Sequence, residues 1–137
     1  MGKYGSENLF DIRGRKALMV GGTKGLGREM AVCLLENGCD VFAVSRSAAP
    51  DEGLETAARD GNAKLNLYSA DVLKTDAVVG MVEAAEKAMG RIDILVNSAG
   101  RNVRRMVADM DDASWDAVLD VNLRANFIVM REGIKVM

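Results

Sequence analysis

The chain has 137 residues, with 18 basic and 20 acidic side chains, a net charge of −2, 49% hydrophobic residues and 28% charged residues. This size and composition predict one globular domain and exclude a disordered or fibrous protein. The balanced charge gives no indication of a nucleic-acid or membrane partner, so a small-molecule ligand is expected. The apolar runs are too short to span a bilayer and no signal-peptide core is present, which favours a cytoplasmic protein.

The chain contains no histidine, and its two cysteines, Cys33 and Cys39, do not form a CxxC pair. A zinc site, a Cys/His pair and Ser/His/Asp hydrolysis are therefore excluded, and no metal site is expected. Cys33 lies between Met30 and Leu34, which predicts a reduced thiol packed as a small apolar side chain. Any proton transfer must use tyrosine, lysine, a carboxyl group or a relay.

Four short apolar runs rich in β-forming residues alternate with segments of helical periodicity. They predict strands at 16 to 20, 40 to 44, 64 to 68 and 92 to 96. This alternation is typical of βαβ units and a parallel sheet. The predicted fold is α/β and Rossmann-like, with strand order 3-2-1-4, the N-terminal half of a doubly wound sheet. The fourth strand would then be an unpaired edge.

The segments between the strands predict helices. One face of the first helix carries the apolar residues Leu26, Met30, Cys33 and Leu34. A second, less regular helix is expected at 52 to 59. The third begins with Thr75 as its cap and ends at Gly90, and its inward face carries Val78, Val79, Val82 and Ala85. A long last helix is expected from Asp111 to near the end of the chain.

The stretch VGGTKGLG, residues 20 to 27, lies between the first strand and the first helix. Its glycines allow a tight turn and the close approach of a phosphate to the positive end of the helix. Neither Gly25 nor Gly27 is followed by lysine, which excludes a Walker loop, and the spacing GxxxGxG differs from the common GxGxxG pattern. A phosphate-binding loop is predicted, with a glycine-rich turn that binds no ligand as the alternative.

The GxxxGxG spacing resembles the loop TGxxxGxG of the short-chain dehydrogenase/reductase family, with Val20 in place of the threonine. Three further segments resemble that family in the same order: ADV at 70 to 72, NSAG at 97 to 100 and VNL at 121 to 123. The resemblance covers essentially the whole chain. It implies that residues 1 to 137 are a cofactor-binding Rossmann domain, incomplete at its C-terminus. The implied reaction is hydride transfer between a nicotinamide cofactor and an alcohol or sugar hydroxyl or carbonyl.

The end of the second strand distinguishes NAD from NADP. A carboxylate at this position would bind the ribose hydroxyls and repel a 2′-phosphate, but the strand ends in Ser45 and Arg46. Lys24 in the glycine loop adds a second cation, and both cation types bind phosphate. NADP is therefore predicted over NAD, with solvated surface charges as the alternative interpretation. The missing carboxylate also disfavours a methyltransferase of related fold.

The predicted cofactor-binding residues lie in the glycine loop and after the strands: Gly21, Thr23, Lys24, Gly25, Leu26, Gly27, Ser45, Arg46, Asp71, Val72, Asn97, Ala99 and Gly100. The resemblance implies that Asp71 contacts the adenine, and a cap or turn role is the alternative. Asn122 is predicted to lie on an inward face of the last helix, where its amide must find partners. It would either tie the helix to a strand or, as the resemblance implies, hold a water in a proton relay.

The family's catalytic tyrosine and lysine are spaced YxxxK and follow a serine. Here Tyr4 and Tyr68 are followed four residues later by Asn8 and Val72, so the printed sequence has no such pair. The N-terminal part of a longer enzyme is expected. The alternative is a non-catalytic nucleotide-binding or interaction module that ends at Met137. The resemblance also implies a homodimer or homotetramer.

Three arginines, Arg101, Arg104 and Arg105, follow the NSAG segment. They could favour an anionic substrate, although solvated loop charges are the preferred interpretation at this point.

Overall fold

The computed structural model describes residues 10 to 137, which form one four-stranded parallel sheet. Its strands are β1 (Lys16–Val20), β2 (Asp40–Ser45), β3 (Leu65–Ser69) and β4 (Ile94–Asn97). They pair in the order β3-β2-β1-β4, with Val20 opposite Val44 in β2 and Asn97 in β4. The predicted sheet and its strand order are confirmed.

Helices cover both faces of this sheet. They are α1 (Gly25–Glu36), α2 (Glu52–Asp60), α3 (Thr75–Met89), α4 (Asp112–Leu119) and α5 (Asn126–Ile134). Because side chains alternate along a strand, β1 contributes to two cores. Ala17 and Met19 pack with buried residues of α1 and α2, whereas Leu18 and Val20 pack with buried residues of α3 and α5. The result is a three-layer arrangement of helices, sheet and helices.

Helix α1 packs against the sheet through a different face from the predicted one. Its buried residues are Gly27, Ala31 and Leu35. The predicted apolar face is exposed or half-buried at all four positions, Leu26, Met30, Cys33 and Leu34. The prediction of a packed Cys33 thiol was therefore wrong, and the buried thiol is Cys39. Two small residues, Gly27 and Ala31, bring the helix close to the strand, and Leu35 is the large side chain buried with them.

The later helices differ from prediction at one N-cap and in the interior of the last helical segment. Helix α3 ends at Gly90 with φ +79°, as expected, but its N-cap is Lys74 and not Thr75, and no side-chain hydrogen bond caps it. The last helical segment begins after Asp111, which accepts a hydrogen bond from the Ser114 amide. It is interrupted by a π-helical segment, Asp120–Ala125. Within residues 10 to 137, no helix is both long enough and apolar enough to cross a membrane.

A side-chain clamp joins α1 to the start of α2. The Arg28 guanidinium donates two hydrogen bonds to the Asp51 carboxylate, Nε to Oδ2 at 2.9 Å and Nη2 to Oδ1 at 2.8 Å. Asp51 also accepts from the Leu54 amide at 3.0 Å and so caps α2. The Arg28 hydrogen bonds, and next the Leu54 amide, lower the pKa of Asp51 to about 2. The clamp therefore fixes the start of α2 against α1.

Two substitutions of Asp51 distinguish the contribution of the N-cap to stability from that of the ion pair with Arg28. Asp51→Ala removes both and should lower the free energy of unfolding by about 1 kcal/mol, the usual loss for an N-cap. Asp51→Asn keeps a cap acceptor and removes only the charge. Since the folded pKa is about 2 and the usual value is 3.8, the carboxylate stabilises the fold at higher pH, and this is lost as pH falls through that interval. Urea denaturation at pH 7 and at low pH should show the difference between wild type and Asp51→Asn shrink with acidification. A constant difference would contradict the ion pair.

Candidate nucleotide-binding site

The glycine loop between β1 and α1 contains two backbone conformations that favour glycine. Gly21 has φ +83° and Gly25 has φ +53°. A Cβ on Gly21 would lie 2.6 Å from the Ala99 nitrogen, whereas a Cβ on Gly25 would meet nothing within 4 Å. Gly21 is therefore fixed by contact with the segment after β4, and Gly25 borders open space at the start of the helix. A loop of this form can bring its backbone to a ligand that lies beside Gly25.

No acidic side chain in the first turn of α1 neutralises the positive end of the helix dipole. The N-cap residue, Lys24, makes no side-chain hydrogen bond to the helix either. The amides of a first helical turn lack intrahelical partners and carry the positive end of the helix dipole. This end of a 12-residue helix can therefore bind an anionic group such as a pyrophosphate.

Three buried polar atoms at this edge of the sheet have no hydrogen-bond partner among residues 10 to 137. They are Thr23 Oγ1, Ser45 Oγ and Asn97 Oδ1. Thr23 lies in the glycine loop after β1, and the other two are the last residues of β2 and β4. Buried polar atoms are nearly always satisfied, so three together require an explanation. A polar ligand across the carboxyl ends of β2, β1 and β4, where parallel sheets bind nucleotides, would supply the missing partners.

Two cations border the same edge. Lys24 and Arg46 are exposed, and neither side chain forms an ion pair with any residue in the described part of the chain. The Arg46 carbonyl accepts a hydrogen bond from the Ser69 hydroxyl at 2.8 Å, which ties the end of β2 to β3. Ser45 and Arg46 provide no carboxylate at the end of β2. The carboxyl edge of the sheet at β2 therefore carries two exposed positive charges and no carboxylate at the end of the strand.

The residues after β3 have structural roles in the chain itself. The Asp71 carboxylate accepts a hydrogen bond from the Leu73 amide at 3.1 Å, which forms the turn that leads into α3. Val72 is half-buried and packs against the core between the sheet and α3. The turn role is therefore present, and an adenine contact by Asp71 stays a prediction.

After β4, Ala99 packs against the same core. Gly100 lies close to Asn122, because an ideal Cβ on Gly100 would be 3.5 Å from Asn122 Oδ1.

Asn122 is exposed, so the prediction that it packs inward was wrong. It lies in the π-helical segment, whose wider turns shift residues out of the 3.6-residue period assumed for one regular helix. Its side-chain amide nevertheless makes two hydrogen bonds with the Arg101 backbone. Arg101 N donates to Asn122 Oδ1 and Asn122 Nδ2 donates to the Arg101 carbonyl, each at 2.8 Å. Asn122 thus ties the helix to the loop after β4, and a part in proton relay stays a prediction.

Sequence reasoning missed the partners that hold these residues in place. A Cβ on Gly27 would lie 2.1 Å from the Gly21 carbonyl oxygen and 2.9 Å from Ser98 Oγ, so these three residues form one contact. The distant clamp between Arg28 and Asp51 was missed as well. No local sequence pattern predicts either contact.

Comparisons with known proteins agree with this architecture. The family model of short chain dehydrogenases matches residues 15–137. A 2-dehydro-3-deoxy-D-gluconate 5-dehydrogenase of Pseudoalteromonas atlantica is 35% identical over 124 residues, which are 90% of this chain and 49% of that protein. The chain spans about half the length of the curated relatives it matches.

Two solved structures show the same fold. A short-chain type dehydrogenase/reductase from Mycobacterium marinum superposes with a TM-score of 0.83 at 26% identity, covering 94% of this chain and 52% of that one. An NADH-dependent reductase solved in complex with NAD superposes with a TM-score of 0.83 at 29% identity, covering 92% of this chain and 53% of that one. With the family model matching nearly the whole sequence, the chain belongs to the short-chain dehydrogenase/reductase family.

Proposed function

We propose that this chain binds NADP(H) and forms the cofactor-binding part of an oxidoreductase that acts on an alcohol or sugar hydroxyl or carbonyl. The observation that carries the proposal is the set of unpartnered buried atoms, Thr23 Oγ1, Ser45 Oγ and Asn97 Oδ1, along one edge of the sheet. When bound, the nicotinamide would accept or deliver a hydride. The printed sequence has no YxxxK pair, so catalysis is proposed only for a protein that contains the other half of the family's length.

Each part of the edge has a distinct task in this proposal. The amides of the glycine loop and of the first turn of α1 would donate to the pyrophosphate, beside the open space at Gly25. Ser45 and Asn97 would donate to or accept from the two ends of the dinucleotide, because β2 and β4 lie on opposite sides of β1. Asn122 would hold the loop after β4 against the cofactor through the Arg101 backbone.

The choice of NADP rests on charge. Arg46 and Lys24 provide two exposed cations near the adenosine ribose, and the end of β2 lacks the carboxylate that would repel a 2′-phosphate. Charge-assisted hydrogen bonds from guanidinium to phosphate are among the stronger polar contacts in proteins. The related structure with NAD shows that protein's cofactor, so cofactor preference must be measured on this chain.

Reversing the charge of Arg46 tests the preference directly. Arg46→Asp should weaken NADPH binding about tenfold or more, because a phosphate contact is replaced by repulsion, and should leave NADH binding equal or tighter. Fluorescence titration of the reduced cofactors gives both dissociation constants. Arg59→Asp, at an exposed arginine near the end of α2, is the matched control for net charge. Equal affinity of the wild type for NADPH and NADH would refute the NADP assignment.

The glycine loop offers a second test with a matched control. Gly25 and Gly14 both have positive φ, +53° and +74°, and neither would place a Cβ within 4 Å of another atom. Alanine at either position should therefore cost a similar backbone strain of about 1 kcal/mol. Only Gly25→Ala puts a methyl group beside the proposed pyrophosphate, so it alone should weaken NADPH binding, by about tenfold or more. Thermal unfolding and cofactor titration of both variants separate strain from binding. Equal cofactor affinity in the two variants would count against a phosphate at this loop.

A further inference from the structure

The loop after β4 is positively charged in a chain that is negatively charged overall. It carries Arg101, Arg104 and Arg105, and no acidic residue occurs from Ser98 to Ala108, whereas the whole chain has a net charge of −2. The loop leaves the sheet at the carboxyl end of β4, the same edge as the glycine loop. A cluster of one sign at a cleft edge raises the local concentration of oppositely charged ligands.

The position of this loop follows from the strand order. The sheet places β2 on one side of β1 and β4 on the other. With the adenosine at the end of β2 and the pyrophosphate at the start of α1, the nicotinamide of the proposed cofactor lies toward β4. The loop also begins in contact with the glycine loop, because an ideal Cβ on Gly21 would lie 2.6 Å from the Ala99 nitrogen. Arg101 follows Ala99 by two residues, so the arginines border the place where a substrate must meet the nicotinamide.

The loop is held at both ends of its arginine cluster. The Asn122 amide binds both the N–H and the carbonyl of Arg101 at 2.8 Å. At the other end, the Arg105 guanidinium is paired with Asp111, the residue that caps α4. Two anchors of this kind fix the backbone between them before any ligand binds, which reduces the entropy lost on binding.

The remaining two guanidinium groups are available. Arg101 and Arg104 are exposed, and within residues 10 to 137 neither side chain makes a hydrogen bond or an ion pair. A guanidinium presents a planar fork of donors that matches the two oxygens of a carboxylate. Arg105 is paired with Asp111 and so stabilises the conformation of the loop. The other two guanidinium groups can donate hydrogen bonds to a ligand.

We propose that Arg101 and Arg104 bind a substrate carboxylate, so that the substrate of this site is a sugar acid or another small hydroxy or keto acid. This inference rests on the proposed function, since it assumes a nicotinamide beside β4. It assigns to two residues a preference for an anionic substrate, which none of the proposed cofactor contacts supplies. The guanidinium groups select the substrate and take no part in the hydride step.

The test compares two ligands that differ only in the proposed group. Gluconate and glucitol are six-carbon polyols, one with a terminal carboxylate and the other with a hydroxymethyl group. In calorimetric titration of the 137-residue chain saturated with NADPH, gluconate should bind about tenfold or more tightly than glucitol. Arg101→Gln and Arg104→Gln should each weaken gluconate binding about tenfold and leave glucitol binding unchanged. The matched control is Arg59→Gln, at an exposed arginine whose one side-chain hydrogen bond in the described chain is to the Thr56 hydroxyl.

The outcomes separate this inference from the proposed function. If NADPH binds but gluconate and glucitol do not differ, or if the glutamine variants behave like Arg59→Gln, the carboxylate site is refuted and cofactor binding stands. If sulfate at equal concentration displaces gluconate, the arginines bind any small anion and the assignment to a substrate carboxylate is refuted. If NADPH itself does not bind the wild-type chain, the proposed function fails first.

Discussion

The position of the glycine loop depends on one backbone contact, between Gly27 in the first turn of α1 and the Gly21 carbonyl at the end of β1. A Cβ at Gly27 would lie 2.1 Å from that oxygen, which no side chain tolerates. Because the contact is backbone to backbone, the start of the helix lies directly on the end of the strand. Gly21 in turn contacts the segment after β4, so a third element is placed by the same absence of side chains. The unpaired amides of α1 and the ends of β1 and β4 consequently meet at one edge.

The two edges of the sheet treat polar groups in opposite ways. At the amino edge, Asp40 accepts hydrogen bonds from the Lys16 ammonium and the Lys64 amide. Burial alone would raise the pKa of Asp40, but these hydrogen bonds outweigh burial and hold the pKa below its usual value. Asp93 accepts from the Lys16 amide at 2.9 Å in the same way. At the carboxyl edge, by contrast, Thr23, Ser45 and Asn97 keep buried atoms without partners. Polar groups therefore stabilise the fold at the amino edge, whereas at the carboxyl edge these three have no partner within residues 10 to 137.

The sequence predicted the parts of this structure that local chemistry determines. β-rich runs located all four strands, although β4 begins two residues later than expected, and Gly90 and Asp111 mark helix ends as predicted. Side-chain hydrophobicity failed at α1 because the buried face includes Gly27 and Ala31, which carry little apolar surface for a periodicity to detect. It failed at Asn122 because the π-helical segment breaks the regular period of the helix. These two errors occur where small residues or wider helical turns determine the packing, and both places border the candidate site.

The contacts that position the site could not be predicted from local sequence patterns, for a different reason. Arg28 and Asp51 are 23 residues apart, and Arg101 and Asn122 are 21 apart, so each contact exists only after separate elements have packed. One pair fixes α1 against the chain that leaves β2, and the other fixes the loop after β4 against the last helical segment. These are the two sides of the edge on which the unpartnered polar atoms lie. Since a ligand gains affinity when its partners are already in place, such clamps would contribute to the proposed cofactor binding without touching the ligand. A motif therefore predicts which residues face a cofactor, while the free energy of the proposed binding would also depend on pairs that no motif contains.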